Sequence, residues 1–187
     1  TASSTGVINV SGTGNFPSGF SAVTLNNGST VNYNLNGNQN IFATTYSNLT
    51  LSVGGTKSLT EATTVNGTFT IGRPLTTNNY QLTLGGDYIQ NSTFTQGTGT
   101  VLINGSTTQT ISGTTATTFY NLTVNKSGGD LTLSKAVTVS NILSLQSGII
   151  NTTTTNLLSV TNTAASAISG GSATAYINGP LLRNLPA

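Results

Sequence analysis

The chain has 187 residues, of which only 4% are charged: five Lys or Arg and three Asp or Glu, with no His, Cys, Met or Trp. Ordinary soluble domains carry about 25% charged residues. The missing His and Cys exclude the usual zinc, haem, iron–sulfur and thiol chemistries, and three carboxylates leave little material for paired acid–base catalysis. Five dispersed cations exclude the basic surface that binds duplex nucleic acid. We therefore expect no enzyme, no cofactor or metal ion and no nucleic-acid partner.

Thr, Asn, Ser and Gly occupy 104 of the 187 positions (38, 23, 21 and 22). The chain still contains material for a packed core, because 35% of its residues are hydrophobic and only four are prolines. No apolar run is long enough to span a bilayer. The chain starts at Thr1 without a Met or an apolar leader, which is typical of a processed N-terminus or a fragment.

Short strands with period-2 alternation follow one another along the chain. In each, two apolar residues point to one side and the residue between them points to the other. In chain order they include residues 49–51, 69–71, 82–84, 101–103, 122–124, 131–133 and 137–139. Turn-forming pairs separate the strands, and no window shows helical periodicity. The pattern predicts an all-β protein with almost no α-helix.

The alternation also predicts which side chains are buried. The expected inward residues are Leu49, Leu51, Phe69, Ile71, Leu122 and Val124. The residues between them, Thr50, Thr70 and Thr123, are expected to face solvent.

The strands repeat on a longer scale, and the spacing between matching positions drifts upward along the chain. Val31 matches Val101 and Gln39 matches Gln109 at an offset of 70. The later matches are Asn48 with Asn121, Ala62 with Ala136, Val65 with Val139, Phe69 with Leu143 and Ile71 with Leu145. The internal repeat covers roughly residues 30–99 and 100–174. A drifting offset indicates insertions at corners, which a solenoid tolerates.

We predict that residues 1–187 form a single domain, a right-handed parallel β-helix. A unit of about 73 residues suits about three turns of roughly 24 residues with three short faces each, which gives about seven to eight turns for the chain. The alternative all-β architecture is an antiparallel sandwich with strands every 8–12 residues or so. The long-range self-similarity and the scarcity of charge on strand faces favour the β-helix.

Four segments carry a family resemblance: residues 119–125 (Phe-Tyr-Asn-Leu-Thr-Val-Asn), 137–145, 147–151 and 175–183. They resemble the β-solenoid repeats of large secreted cell-surface, adhesin-like proteins of Bacteroidota and related bacteria. The resemblance covers the chain from about Ser21 to Arg183. It implies a secreted right-handed β-helix at the bacterial cell surface and supplies no catalytic residue. Family members usually continue past the Asn-Gly-Pro-Leu motif into further modules, whereas this sequence stops at Ala187.

The charged residues are weak candidates for a site. Asp87 follows two glycines and is expected to form a turn, because a calcium site needs more oxygen ligands. Lys126, Asp130 and Lys135 flank one loop and are expected to be solvated surface charges rather than an anion site. Glu61 has no second carboxylate nearby in sequence, although a solenoid could bring it under the loop that contains Asp130.

The remaining candidates are weaker still. Arg73 is expected to cap a carbonyl at a corner. The spacings Gly12-x-Gly14 and Gly97-x-Gly99 lack the Lys-Ser/Thr or the helix start of a phosphate-binding loop. We therefore assign no catalytic, cofactor-binding or metal-binding residue.

Tyrosines and asparagines complete the candidates. A sugar-binding strip could be formed by Tyr33, Tyr46, Tyr80, Tyr88, Tyr120 and Tyr176, although the alternation directs several of them inward. Glycosylation sequons start at Asn27, Asn48, Asn66, Asn91, Asn104 and Asn121, but a chain rich in Asn and Thr generates such triplets by chance.

Three function classes follow. The first is an extracellular structural protein, a subunit of a surface filament or stalk. The second is an adhesin module that binds a surface polysaccharide or another surface, including ice. Ice binding would need two outward Thr per strand, which only Thr68-x-Thr70 and Thr93-x-Thr95 offer. A polysaccharide lyase would need clustered carboxylates and ranks last.

The ends of the chain favour the structural class. Strand-like alternation starts at residues 6–10 and persists through 175–177, and the first ionisable side chain is Lys57. A β-helix leaves an unpaired edge at each end unless a cap or charge protects it, and we expect neither end of this chain to have a cap. We therefore predict that the chain associates head to tail with copies of itself.

Overall fold

The computed structural model describes residues 5–13, 16 and 24–186. In this part of the chain, 22 short strands and one 3-10 turn (Ala165–Ala167) are present, without an α-helix. The strands pair in parallel to form a β-solenoid of about eight turns, which confirms the predicted fold class. Gly14 and Ser21, which the sequence analysis named, lie outside the described residues.

The strands form three sheets. Sheet 1 contains β1 (Val7–Val10), β2 (Thr30–Tyr33), β5 (Asn48–Leu51), β8 (Phe69–Ile71), β11 (Tyr88–Gln90), β14 (Gln109–Gly113), β16 (Leu131–Leu133), β18 (Ile150–Asn151) and β21 (Ile177–Asn178). Sheet 2 contains β4 (Thr45–Tyr46), β7 (Thr63–Val65), β10 (Leu82–Leu84), β13 (Thr100–Ile103), β15 (Thr117–Asn125), β17 (Val137–Ser147), β19 (Leu158–Val160), β20 (Ile168–Gly170) and β22 (Leu181–Arg183). Sheet 3 contains β3 (Gln39–Ile41), β6 (Lys57–Leu59), β9 (Leu75–Thr76) and β12 (Phe94–Thr95).

The turns are shorter than predicted over much of the chain. Val65 lies beside Leu84 of the next turn, and one of the tightest turns runs only from Val31 to Leu49. Corners of a few Gly, Asn and Ser residues allow this, because such residues reverse the chain in little space. Longer turns are confined to wider corners, such as the turn from Ile150 to Ile177.

The internal repeat is therefore not three turns long. Val31 lies in sheet 1 and its match Val101 lies in sheet 2, after three full turns and a further part of a fourth. Gln39 in sheet 3 likewise matches Gln109 in sheet 1. Beyond three full turns the repeat moves each segment on by two faces, in the chain order sheet 1, sheet 3, sheet 2, so the three faces accept the same sequence pattern.

The core is a set of inward columns that run the length of the stack. The six residues predicted to face inward are all buried, and Thr50, Thr70 and Thr123 are half-buried on the outer surface. The predicted register is confirmed. Burial of each such aliphatic or aromatic side chain contributes about 1.5–3 kcal/mol.

The long strands β15 and β17 span two faces. Their first parts follow directly after a strand of sheet 1, the position that sheet 3 occupies in earlier turns, and their second parts continue sheet 2. A register irregularity between Phe119 and Asn121 marks the bend.

The N-terminal end of the stack is partly covered, contrary to the prediction that neither end has a cap. The ring of Phe16 is buried and lies 5.4 Å from Phe42 and 6.4 Å from Tyr46, which lies in β4 at the edge of sheet 2. The Gln39 amide donates to the carbonyls of Val10 and Gly12 beneath it.

Among the described residues, no helix has the length and apolarity to cross a membrane.

Candidate functional site

The three carboxylates are separated along the stack. Glu61 is exposed between β6 and β7, several turns from Asp130, so the solenoid does not bring it under the loop that contains Asp130. Asp87 accepts the backbone N–H of Thr110 in the next turn at 2.8 Å, which agrees with the predicted turn role. Asp130 accepts from the Asn151 amide at 3.0 Å. No cluster of three potential metal ligands occurs in the described part of the chain.

Two lysines lie inside the solenoid rather than on its surface. Lys57 is 0% exposed and Lys126 is 3% exposed, so the expectation that Lys126 is a solvated surface charge is wrong. Each ammonium group enters a corner loop of the preceding turn, where it donates to backbone carbonyls. Burial of an ammonium requires such partners, because the unpaired charge would cost several kcal/mol.

The first of these corners, which we call corner site A, contains Gln39 and Lys57. The Gln39 Oε1 atom accepts from the N–H of Leu35 at 3.4 Å, while its Nε2 atom bonds to the turn below. Lys57 Nζ, one turn above, donates to the carbonyl of Leu35 at 2.8 Å and to that of Gly37 at 3.1 Å. The two side chains fasten three successive turns at one corner.

Corner site B repeats this arrangement with Gln109 and Lys126. Gln109 Oε1 accepts from the N–H of Gly105 at 2.8 Å, and Lys126 Nζ donates to the carbonyl of Thr107 at 2.8 Å. Lys126 Nζ also lies 2.6 Å from Gln109 Oε1. Leu35 and Gly37 of site A correspond to Gly105 and Thr107 at the same offset that relates Gln39 to Gln109, so the internal repeat carries a duplicated corner.

Burial lowers the pKa of both lysines from the usual 10.5. The nearby Arg73 charge lowers the pKa of Lys57 further, whereas Asp130 and Asp87 partly offset the effect of burial on the pKa of Lys126. All acceptors of both ammonium groups are uncharged oxygens. The ammonium groups are thus occupied by the fold and leave no donor set for a bound anion.

The three remaining cations are Arg73, Lys135 and Arg183, and the expected carbonyl cap is formed by a different arginine from the one predicted. Arg73 is exposed, and no hydrogen bond of its guanidinium is found within the described residues, so it does not show the expected carbonyl capping. Arg183 does cap a carbonyl: its Nη2 atom donates to Ala164 at 2.8 Å. Lys135 is half-buried beside β16.

The tyrosines do not form a strip. Tyr33, Tyr46 and Tyr88 are buried in the core, and the hydroxyls of Tyr33 and Tyr46 lie 2.8 Å apart. Burial raises the pKa of all three above the usual 10.0. Tyr80 and Tyr176 are exposed at distant levels of the stack.

Several sequon asparagines serve the fold. Asn48 accepts from the N–H of Thr68 at 2.8 Å, and Asn91 accepts from that of Thr114 at 3.1 Å. Asn121 belongs to a ladder of side chains that climbs one corner over five successive turns. Its members are Asn79, Thr98, Asn121, Asn141 and Asn162, and each of the last four donates to the member one turn before it, Asn121 to the backbone carbonyl of Thr98 and the others to a side-chain oxygen. We call this set the asparagine ladder.

The outer surface of sheet 1 carries two columns of small polar residues rather than the one expected. The first column contains Thr30, Asn48, Thr68, Asp87, Thr110, Thr132, Asn151 and Asn178. The second contains Asn32, Thr50, Thr70, Ile89, Ser112 and Ser134. Ile89 and Asp87 interrupt the hydroxyl array in the middle of the face.

The final turn is the surface most suited to bind another chain. Among the described residues, β20, β21 and β22 each pair on one side only. Leu181 continues the inward column of Leu158 but is exposed, as are Leu182 (52%) and Leu185 (71%). Because Asn184 donates to Val160 in β19, alternation directs the N–H of Leu181 away from the stack.

No protein-family model, no curated protein and no solved structure matches the chain. The buried lysines and the ladder were missed by sequence analysis. The available signals were the Gln39–Gln109 identity and a lysine that follows each glutamine at nearly the same interval.

Proposed function

We propose that this chain is a structural subunit of an extracellular filament or stalk at a bacterial surface. The observation that supports the proposal is the final turn, which combines strand edges paired on one side with exposed apolar residues. Such an edge is a template for a further strand unless charge or a cap blocks it. In the proposed joint, the free edges of β21 and β22 in one copy pair with the first turn of the next, where Val7 of β1 is 61% exposed.

The proposed contact is heterologous, so it propagates as a fibre unless the rotation closes a ring. Backbone hydrogen bonds and apolar contacts would hold it, because only eight charged residues occur in the chain. Assembly should therefore persist at high salt, where exposed ion pairs are screened.

A matched pair of proline variants tests the joint. Leu181→Pro removes an N–H that points away from the stack, whereas Leu182→Pro removes one that faces β19. We expect light scattering and electron microscopy to show fibres or oligomers for residues 1–187 and a monomer of unchanged melting temperature for Leu181→Pro. Leu182→Pro should melt lower.

Two outcomes would contradict the proposal. A folded wild-type chain that stays monomeric at every salt and protein concentration would favour the alternative, an adhesin module whose last turn pairs with other residues of a longer chain. Immunogold labelling of the native host that finds the protein only in the cytosol would overturn the extracellular location.

A further inference from the structure

The parallel ladder is interrupted once on the side of sheet 3, between β12 and the first part of β15. Among the described residues, β12 pairs only with β9, and residues 117–119 pair only with β17. Thr93 and Thr95 accept from β9, so alternation directs the backbone groups of Phe94 toward the interruption. The backbone groups of Thr118 face it from the other side, because Thr117 donates to Ala136.

Two buried glutamines fasten the turns at either end of this interruption. Gln96 takes the place of a peptide group: its Oε1 atom accepts from the N–H of Tyr120 at 2.8 Å and its Nε2 atom donates to Asn121 at 3.2 Å. At the other end, the carbonyl of Gln90 accepts from the N–H of Thr114 at 3.0 Å. The interruption is therefore a fixed groove on the outer surface.

The groove has a volume of about 360 Å³, toward the small end of ligand sites. Its lining is uncharged and consists of Gln90, Ser92, Thr93, Phe94, Thr115, Ala116 and Thr118. The Phe94 ring is half-buried and is held edge-on against Tyr88 and Phe119, with ring centroids 5.9 Å apart in both cases. An aromatic ring is thus presented in a rigid position among hydroxyl groups.

One buried polar group in the lining is unused. The Gln90 side chain is only 4% exposed, and its Oε1 atom accepts from the Tyr88 hydroxyl at 2.7 Å and the Thr117 hydroxyl at 2.6 Å. No partner of the Gln90 Nε2 group is found among the described residues. The buried side-chain atoms without a partner in the described part of the chain are Ser29 Oγ and Arg183 Nε, so the Gln90 Nε2 atom keeps contact with solvent in the groove, where its N–H pair is available to a ligand.

We propose that this groove binds a short uncharged carbohydrate. The weakly positive C–H face of a sugar ring packs on the negative face of an aromatic ring such as Phe94. Sugar hydroxyls both donate and accept, which suits the Gln90 Nε2 group and the hydroxyls of Thr93 and Thr118. An anionic sugar would find no cation in the lining.

An extended peptide fits the groove less well. A strand inserted between β12 and β15 would require the two strands to stand roughly 9.6 Å apart, twice the usual spacing. The bonds of Gln90 and Gln96 across the interruption and the contact of Phe94 with Phe119 prevent that separation.

The test is a titration of the full chain, labelled with ¹⁵N, with maltohexaose, cellohexaose, an oligogalacturonate and an eight-residue Thr/Val peptide. We expect at least one neutral oligosaccharide to shift the Gln90 side-chain amide and the Phe94 backbone signal. Thr118→Arg should abolish binding, and Phe94→Ala should weaken it by about tenfold or more. The matched control is Thr138→Arg, which lies in the same outward column one turn later and should bind as the wild type does.

Three outcomes would overturn the proposal. The first is that neither neutral sugar shifts these signals at concentrations up to about 10 mM. The second is that the oligogalacturonate or the peptide binds at least as tightly as the neutral sugars. The third is that the Thr118→Arg and Thr138→Arg variants bind equally well. If the wild-type chain forms fibres, the same titrations are made in the Leu181→Pro background, whose substitution lies in the final turn, away from the groove.

Discussion

Lysine is among the residues least often buried in proteins, yet two of the chain's five cations lie inside the solenoid. Both occur where a corner loop turns its carbonyls inward and leaves them without a backbone partner in the ladder. An ammonium group on a flexible four-carbon stem reaches several such carbonyls at once, and its methylene groups fill the corner. The glutamine beneath it supplies the N–H donors for the turn below.

Lys126→Met tests this role, because methionine keeps the apolar stem and removes the ammonium. It removes the ammonium donor from the carbonyls of Gly105 and Thr107 and leaves the Gln109 Oε1 atom with the Gly105 N–H alone. We expect the free energy of unfolding to fall by about 2–5 kcal/mol in denaturant titrations. Lys135→Met, at a half-buried position, should change it by about 0.5 kcal/mol or less. Equal losses from the two variants would contradict the corner role.

At the scale of elements, the asparagine ladder holds the corner that leads into sheet 2, where Asn121 and Asn141 lie at the bends of β15 and β17. Asn141 donates to the Asn121 side chain at 2.9 Å and accepts from Asn162 at 3.2 Å, so each member joins two turns. Uncharged amides stack in this way without the repulsion that a column of like charges would produce. The ladder ends one turn below Arg183, whose guanidinium caps the carbonyl of Ala164.

Asn141→Ala should therefore cost about 1–3 kcal/mol, since it removes two side-chain hydrogen bonds and leaves the Asn121 acceptor unpaired, while the Asn162 amide keeps its bond to the Asn141 carbonyl. Thermal and denaturant unfolding followed by circular dichroism measure this loss. Asn66→Ala is the control, because Asn66 is an exposed corner residue outside the ladder. A loss for Asn66→Ala as large as that for Asn141→Ala would show that corner asparagines act individually.

Local pattern was sufficient to predict the strands and their register. Alternation at Leu49–Thr50–Leu51 fixes both inside and outside, because one face of each strand is buried. Turn length was not predictable in this way, since it depends on how tightly each corner closes around the core. The burial of Lys126 and the groove at Phe94 depend on contacts between residues of adjacent turns, which no local pattern contains.

At the scale of the whole molecule, the displacement of the internal repeat by two faces beyond three full turns shows that corners and faces are interchangeable. Corner site A joins sheet 1 to sheet 3, whereas corner site B, the same arrangement in the second copy of the repeat, joins sheet 2 to sheet 1. Stability in such a stack is approximately a sum over turns and their nearest-neighbour contacts. The buried groups of all turns therefore add in their effect on pH dependence.

The free energy of unfolding should rise as the pH approaches 10 and fall above it. The pKa of Lys57 and Lys126 is lowered by burial, so between that lowered value and 10.5 the unfolded state binds more protons, and stability increases with pH. Burial raises the pKa of Tyr33, Tyr46 and Tyr88 above 10.0, so these side chains stay protonated in the folded state. In the unfolded state they lose their protons above pH 10.0, and the free energy of unfolding therefore decreases there. Denaturant titrations at a series of pH values on both sides of about pH 10 measure the rise and the fall of the free energy of unfolding.

The lysine variant separates the two limbs. Lys57→Met combined with Lys126→Met should remove the rise and leave the fall above pH 10, provided that the double variant folds. A Tyr88→Phe variant keeps the ring and should reduce only the fall. A stability that does not change between neutral pH and pH 11 or so would contradict the burial of these groups.

A solenoid built of equivalent turns should survive the loss of one of them. Residues 66–84 make up one turn, and their deletion places Val65 where Leu84 stood, beside Ile103. In sheet 1, Leu51 then takes the place of Ile71 beside Gln90, so every column stays in register. We expect the shortened chain to fold. Small-angle scattering should show a stack about 4.8 Å shorter, and the free energy of unfolding should fall by the contribution of one turn's contacts. Deletion of residues 66–75 is the control: it removes about half a turn, puts corner residues where strands must pair, and should leave the chain unfolded. If both deletions fold equally well, or both unfold, the stability of this protein does not reside in stacked, equivalent turns.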